Sequence, residues 1–145
     1  MLNAYKLYRI AHILHRKRIP LLPSVIKLII FLAYNSSIPY QAKIGSGSHF
    51  GYGGIGVVIH RNTVIGENCQ IGANVTIGGK SGHPQVPIIG DNVYLATGCK
   101  ILGPIKIGNN VTVGANAVVV EDVPDNVTVV GIPAKILHKT HENTV

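Results

Sequence analysis

A large aliphatic residue returns every six positions along most of this chain. From Ile65 the segments read IGENCQ, IGANVT and IGGKSG, and after a break they resume at Ile89 as IGDNVY, LATGCK, ILGPIK, IGNNVT, VGANAV and VVEDVP. The first position of each segment, or hexad, is Ile, Leu or Val, the second is mostly Gly, and the fifth is apolar except in IGGKSG. A period of six fits neither an α-helix, at about 3.6 residues per turn, nor an ordinary strand, at about two.

This period predicts a parallel β-helix, so the fold class is all-β with a short helical segment before it. Each hexad is one short strand plus a corner, and three hexads make a triangular coil of about 18 residues. The first and fifth residues point inward, and Gly at the second position relieves crowding where the chain turns. The pattern extends upstream to hexads that begin at Ile44, Phe50 and Ile59, with three extra residues at 56–58. About four coils fit in the chain.

The two cysteines, Cys69 and Cys99, both occupy the inward fifth position. Their separation shows no CxxC spacing, so neither a zinc site nor a disulfide framework is indicated. We therefore expect both to fill the core rather than to act as nucleophiles or ligands.

The two ends of the chain depart from the repeat. Residues 1–34 predict helices, with a break at IPLLP and a second helix that follows Pro23 and is capped by Ser24. Pro124 ends the repeat, and the last residues are polar. We divide the chain into a helical N-terminal segment (1–36), a β-helix domain (37–137) and a polar tail (138–145) that is expected to fray.

The 145-residue chain has a net charge of +7, and the basic excess lies in its first half. Eight Lys or Arg and no acidic residue precede Glu67. Nucleic acid is not the expected partner, because the chain has no Trp, no aromatic stacking platform and no nucleic-acid motif. An anionic cofactor or an anionic membrane surface explains the charge as well. The helical segment either packs within the protein assembly or rests on a membrane as a basic amphipathic patch.

No cleavable signal peptide is recognisable at the start of the chain. The apolar run LLPSVIKLIIFLAY has only 14 residues and contains Pro23 and Lys27, which is too short for a comfortable membrane span. We therefore expect a cytoplasmic protein, either free or at the inner face of the membrane.

The hexads, the break after VTIGG and the ending VGIPAKIL resemble the hexapeptide-repeat acyltransferases. The closest resemblance is to their serine acetyltransferase-like branch, with its sugar and polysaccharide O-acetyltransferase relatives, and it covers about residues 38–137. It implies a left-handed β-helix, a homotrimer with active sites between neighbouring prisms, and acetyl-CoA as donor.

Two histidines are candidates for the base that such a transfer requires, because imidazole is largely neutral at working pH. His83 lies in the loop GGKSGHPQVP, which the repeat ejects from the prism. Its SGHP resembles the GHP of galactoside and maltose acetyltransferases, where that histidine is the base, and the His-Pro that lines the acceptor pocket of serine acetyltransferases. His60 occupies a second position, where Gly is usual, so its side chain must point outward. The sequence leaves open which of the two is the base.

The acceptor side departs from the serine acetyltransferase pattern. Those enzymes carry their catalytic histidine in a DHATGIVVG-like segment, and alignment on GIVV puts that histidine on Tyr52 and its preceding aspartate on Gly51. The aspartate that orients the histidine falls near Ser37. Tyrosine, with a pKa of about 10, is a poor base at neutral pH but can donate a hydrogen bond. We expect Tyr52, with Lys80 and Ser81 of the loop, to contact the acceptor.

The donor side retains the family's pattern. VYLATGCKILG, VGANAVV and IPAKI resemble segments that line the coenzyme arm, in which small residues let the arm run against the backbone and lysines meet phosphates; Lys80 is a further phosphate candidate. The predicted cofactor-binding residues are Gly79, Ala96, Gly98, Lys100, Gly114, Ala115 and Lys135.

These observations predict an acetyl-CoA-dependent O-acetyltransferase that modifies a hydroxyl of a sugar or glycan precursor. Serine is the alternative acceptor; it is less favoured because no acid before Glu67 could hold an ammonium group in the first two coils. Another class of function is a non-catalytic β-helix scaffold or a zinc-binding β-helix protein. No metal is expected, since the loop lacks the paired histidine spacing of the hexapeptide carbonic anhydrases.

Overall fold

The computed structural model describes residues 3–138, which form two helices and fourteen short strands. The helices are α1 (Ala4–Arg16) and α2 (Leu22–Tyr34). The strands are β1 (Lys43–Ile44), β2 (His49–Phe50), β3 (Val58–Ile59), β4 (Val64–Ile65), β5 (Gln70–Ile71), β6 (Thr76–Gly78), β7 (Ile88–Ile89), β8 (Tyr94–Leu95), β9 (Lys100–Leu102), β10 (Lys106–Ile107), β11 (Thr112–Val113), β12 (Val118–Val119), β13 (Thr128–Val130) and β14 (Lys135–Ile136). Residues 139–145, which make up most of the predicted tail and include His141, lie outside the described residues.

The strands stack into three sheets, one on each side of a triangular prism. The first sheet has the order β1-β4-β7-β10, the second β2-β5-β8-β11-β13-β14 and the third β3-β6-β9-β12. Every pairing is parallel except that of β13 with β14. Tyr94 pairs with Thr112, eighteen residues later, so one coil has the predicted length. The fold is the predicted left-handed parallel β-helix, with about four turns.

The core consists of the inward positions that the repeat predicts. First-position residues from Ile44 to Val119 are at most 5% exposed. The fifth-position cysteines, Cys69 and Cys99, are fully buried with free thiols, which confirms the expectation that they fill the core. Burial raises the pKa of both thiols, that of Cys99 to about 12.

The corners depend on two hexad positions. A Cβ on the second-position Gly66 would lie 2.4 Å from the carbonyl oxygen of Gly90 in the next coil, so glycine is required there by close packing. The left-handed backbone occurs instead at the fourth position, where Asn68, Asn74 and Asn92 have φ between 55 and 57°. Asparagine tolerates this conformation better than most residues, so asparagine at the fourth position is a further regularity of the repeat.

Two insertions interrupt the stack, and the strand register measures both. Lys43 pairs with Val64, twenty-one residues later, three more than one coil. The extra length is taken up by a 3-10 turn at Gly51–Gly54 and not, as predicted, by residues 56–58, since Val58 is already paired in register with Thr76. Val64 pairs with Ile88, twenty-four residues later, and these six extra residues lengthen the connection from β6 to β7 into the ejected loop, residues 79–87.

Helix α1 packs on the first coil of the prism. The buried Tyr8 hydroxyl donates to the carbonyl oxygen of Ala42, and the Tyr5 hydroxyl donates to that of Gly45 at 2.9 Å. His12 is half-buried, and its Nδ1 lies 2.8 Å from the carbonyl oxygen of Tyr40. Helix periodicity alone did not show that this side of α1 faces the prism.

Helix α2 begins earlier than expected. Its N-cap is Leu21, and Pro23 lies in the first turn, so the prediction that Ser24 caps the helix is wrong. Proline is accepted there because the first turn has no intrahelical partner for its missing N–H. Neither α1 nor α2, at 13 residues each, is long and apolar enough to cross a membrane.

Candidate active site

The ejected loop covers a cavity of about 630 Å³ on the corner that follows the third sheet, here called the loop corner. The N–H of His83 donates to the carbonyl oxygen of Lys80 at 3.0 Å, and Gly82, with a φ of 80°, supplies the left-handed residue of this turn. The side chains of Lys80, Ser81 and His83 are exposed. The cavity is lined by Gly79, Lys80, His83, Leu102, Gly103, Pro104, Ile105, Val120, Glu121 and Asp122.

His60 lies on the same corner, one coil before the loop, and does not line the cavity. Its backbone N–H donates to the carbonyl oxygen of Ile77 at 2.8 Å, and its half-buried ring accepts the N–H of Asn62 at Nδ1, at 3.1 Å. A neutral imidazole that accepts at Nδ1 carries its proton on Nε2. This ring is therefore arranged to donate from its outer nitrogen, whereas a base must accept there.

The structure brings a carboxylate to the cavity that sequence reasoning missed. Glu121 is exposed, lines the cavity, and makes no hydrogen bond or ion pair with any described residue. The other acids within residues 3–138 are used by the fold: Asp91, Asp122 and Asp125 accept backbone N–H groups at 2.7–2.8 Å, and Glu67 accepts the hydroxyl of Ser46 at 3.1 Å. Glu121 is thus the carboxylate available to a ligand of this cavity.

Hexad register contains the signal that identifies Glu121. Ile77, Ile101 and Val119 stack on one another through the third sheet. The residues two positions later, Gly79, Gly103 and Glu121, therefore share the loop corner. The hexad register, continued past the insertion to the last hexad, therefore predicts that Glu121 lies beside the loop.

Tyr52 lies on a different corner, the one between the second and third sheets, here called the Tyr52 corner. It is 82% exposed in the 3-10 turn, with a left-handed φ of 51°, and follows Gly51. Ser37 forms an isolated bridge with Val58 of the third sheet. No described acid replaces the two aspartates that the family pattern would put on Gly51 and Ser37.

The predicted cofactor-binding residues are divided between these corners. Gly79 lies on the loop corner, at the far side of the third sheet from the predicted glycines and alanines that follow β8 and β11. The residues that follow the second-sheet strands β8 and β11 lie on the Tyr52 corner; they are Ala96, Gly98, Gly114 and Ala115. One protomer therefore does not gather the predicted set at one place.

The three candidate lysines have different surroundings. The Lys100 ammonium donates to the carbonyl oxygens of Asn74 at 2.9 Å and Gly98 at 2.8 Å, so it is engaged within its own protomer. Lys80 is exposed beside the cavity. Lys135 is exposed on β14, where the chain turns back antiparallel to β13. Among residues 3–138, no group of three or more His, Cys, Asp and Glu is placed to hold a metal ion.

Comparisons with known proteins agree with this architecture. Residues 87–120 match the bacterial transferase hexapeptide model, which describes six repeats. The chain is 37% identical over 140 residues to a serine acetyltransferase from Helicobacter pylori, which covers 95% of this chain and 81% of that protein. The chain belongs to the serine acetyltransferase family.

Two further members of the serine acetyltransferase family are longer than this chain. A serine acetyltransferase from Synechococcus elongatus is 37% identical over 135 residues, which cover 92% of this chain and 55% of that protein. A solved serine acetyltransferase in complex with CoA superposes with a TM-score of 0.83 at 34% identity, covering 92% of this chain and 55% of that one. This chain thus spans about half the length of these two relatives.

Proposed function

We propose that the protein is an acetyl-CoA-dependent O-acetyltransferase. The observation that carries the proposal is the cavity beneath the ejected loop, which combines an exposed imidazole with an unengaged carboxylate in a member of this family. In the proposed reaction the acceptor hydroxyl oxygen attacks the thioester carbonyl carbon while His83 removes the hydroxyl proton. The C–S bond then breaks, and the imidazolium returns the proton to the departing CoA sulfur.

His83 is the proposed base, and His60 is not. His83 lies on the cavity, whereas His60 lies one coil away with its Nδ1 occupied by the N–H of Asn62. A positioned base contributes about 10²–10⁴ in rate.

The proposed donor site lies between protomers of a homotrimer. The candidate residues on the Tyr52 corner and those on the loop corner lie at opposite sides of the third sheet in one protomer. If the loop corner of one prism faces the Tyr52 corner of a neighbour, both sets line a single groove. This arrangement also brings Tyr52 to the loop of the adjacent protomer, where its hydroxyl can donate to the acceptor or to the thioester oxygen.

Serine is the acceptor favoured by the family relationship, since the relatives described above are named serine acetyltransferases. Glu121 supports this choice, because a free carboxylate beside the base can hold the ammonium group of an amino acid. It answers the objection that the first two coils offer no acid.

A sugar or glycan hydroxyl is the second candidate acceptor, favoured by a specific feature of the Tyr52 corner. Gly51, Tyr52 and Ser37 supply no carboxylate, so this side of the proposed site suits an uncharged alcohol. Serine requires the Glu121 carboxylate to hold its ammonium group, whereas an uncharged sugar does not. Loss of this carboxylate therefore distinguishes the two acceptors.

The test measures CoA thiol release from acetyl-CoA with L-serine, and separately with glucose, galactose and N-acetylglucosamine, for the wild type, His83→Ala and His60→Ala. We expect turnover with L-serine, a loss of at least about 10² in kcat for His83→Ala, and a much smaller loss for His60→Ala. Trimer content by light scattering controls for assembly. Equal activity of all three proteins would refute the histidine-base mechanism, and turnover of sugars alone would select the second acceptor.

A further inference from the structure

Helix α2 has apolar side chains on two of its sides. One side, formed by Pro23, Ile26 and Ile30, is buried. The other side is exposed and comprises Leu22 (46% exposed), Val25 (49%), Leu28 (55%), Ile29 (45%) and Leu32 (73%), and the N-cap residue Leu21 (80%) precedes it. Their spacings of three and four residues place them on one face of the helix, here called the α2 stripe.

The α2 stripe differs from scattered surface leucines. Single exposed apolar residues are normal, whereas a contiguous apolar surface marks an interaction site. Phe31, 53% exposed, extends it along one side. Ile10 and Ile13 of α1, which packs against α2, are 50% and 46% exposed. Leaving apolar surface in water costs about 25 cal/mol per Å² relative to burying it.

The charged residues of the helical segment that carries the α2 stripe are all positive. Arg16, Lys17 and Arg18 are exposed where α1 ends, and two residues separate Arg18 from Leu21, the N-cap of α2. Lys27 lies within α2, beside Leu28 in a shallow cavity. No acidic residue occurs among residues 1–66, so this segment supplies no carboxylate to pair with these cations.

We propose that the α2 stripe docks on an anionic membrane surface. An apolar helix face with lysine and arginine at its margin matches the acyl-chain boundary and the headgroups of such a surface together. A two-fold partner copy fits less well, because pairing this face with itself would bring the same cations together, and the segment supplies no carboxylates between them. The proposal is independent of the acyl-transfer chemistry.

The test is co-sedimentation of the full chain with vesicles of phosphatidylglycerol mixed with phosphatidylcholine, and with vesicles of phosphatidylcholine alone. We expect binding to the anionic vesicles that weakens as salt is raised. Leu28→Gln/Leu32→Gln should lower the partition coefficient by at least about tenfold, because two leucines no longer enter the acyl boundary. Lys17→Gln should lower it by about fivefold.

Matched variants on the prism serve as controls. Val64→Thr/Ile88→Thr removes two exposed apolar side chains from the first sheet, and Lys106→Gln removes one exposed charge; all three control residues are far along the chain from α2. Neither control should change vesicle binding, and far-UV circular dichroism verifies folding. Wild-type protein that does not bind anionic vesicles overturns the proposal. If Leu28→Gln/Leu32→Gln instead changes the oligomeric state without any vesicle binding by the wild type, the occupant is a second copy and the proposal fails.

Discussion

Glu121 and His83 line one cavity although they are 38 residues apart, because the last complete coil places Glu121 two residues beyond Val119 on the loop corner. The other acids described in the chain are engaged by backbone or hydroxyl groups. This pairing of an imidazole with an unengaged carboxylate leads to the first prediction.

Glu121→Gln should raise the KM for L-serine by at least about tenfold while kcat falls little, because the variant loses the charge that holds the acceptor ammonium. Steady-state kinetics with L-serine measure the change. Glu67→Gln, which removes an exposed carboxylate from another corner, is the matched control and should keep the wild-type KM. A large fall in kcat with an unchanged KM would contradict an ammonium-binding role and would indicate that Glu121 orients His83.

Lys100→Met should lower stability rather than weaken donor binding. Its ammonium satisfies the carbonyl oxygens of Asn74 and Gly98, and hydrogen bonds from a charged donor contribute about 1–2 kcal/mol at a half-exposed site. Urea unfolding at fixed protein concentration measures the loss, and the KM for acetyl-CoA should not change. Lys106→Met is the control, because the exposed ammonium of Lys106 has no partner among the described residues. A raised KM with unchanged stability would restore the predicted contact of Lys100 with phosphate.

The repeat predicted the fold because every inward side chain occupies a fixed hexad position. Ile65, Ile89 and Ile107 stack in the first sheet because each is the aliphatic first residue of its hexad. The candidate site was less accessible to sequence reasoning, because it depends on which corners an insertion brings together. His83 was identified from its own loop, but Glu121 was placed beside it only by the register of strands separated by the insertion.

The helical segment shows a second limit. Its pattern predicted helices, yet it did not distinguish the side of α1 that packs on the prism from the side that faces solvent. His12 lies on the side that packs on the prism, where its Nδ1 is 2.8 Å from the carbonyl oxygen of Tyr40. An apolar face on a helix predicts that the face is buried, but it does not indicate which part of the protein packs against it.

The two thiols should resist modification in the folded protein. Burial raises the pKa of Cys99 to about 12, so its thiolate fraction at pH 8 is about a thousandfold smaller than that of an ordinary cysteine. Reaction with a chromogenic aromatic disulfide reagent should therefore be very slow in the native state and should titrate two thiols in guanidinium. Ser81→Cys, in the exposed loop, provides a rapidly reacting control. If Cys69 and Cys99 of the native protein react with the reagent as fast as the thiol of Ser81→Cys, they are not in the core.

Tyr8→Phe should destabilise the attachment of α1 to the prism, and the size of the effect should depend on pH. The variant leaves the carbonyl oxygen of Ala42 and the N–H of Ile44 without the hydroxyl they share, which costs about 1–3 kcal/mol at neutral pH. Burial raises the pKa of Tyr8 from 10.0 to about 12. Between these values the unfolded chain releases a proton that the folded protein keeps, so the stabilisation is complete below about pH 10 and is lost as pH rises toward 12.

The difference in unfolding free energy between wild type and Tyr8→Phe therefore shrinks above about pH 10, by up to about 1.4 kcal/mol per pH unit. Lysines and thiols titrate in both proteins and cancel in this difference. Urea unfolding measured from neutral pH to about pH 12 provides the comparison, and Tyr94→Phe, which alters a partly exposed phenol on β8, controls for loss of a hydroxyl as such. A difference that stays constant across this range would mean that the Tyr8 hydroxyl is not held neutral by burial beneath α1.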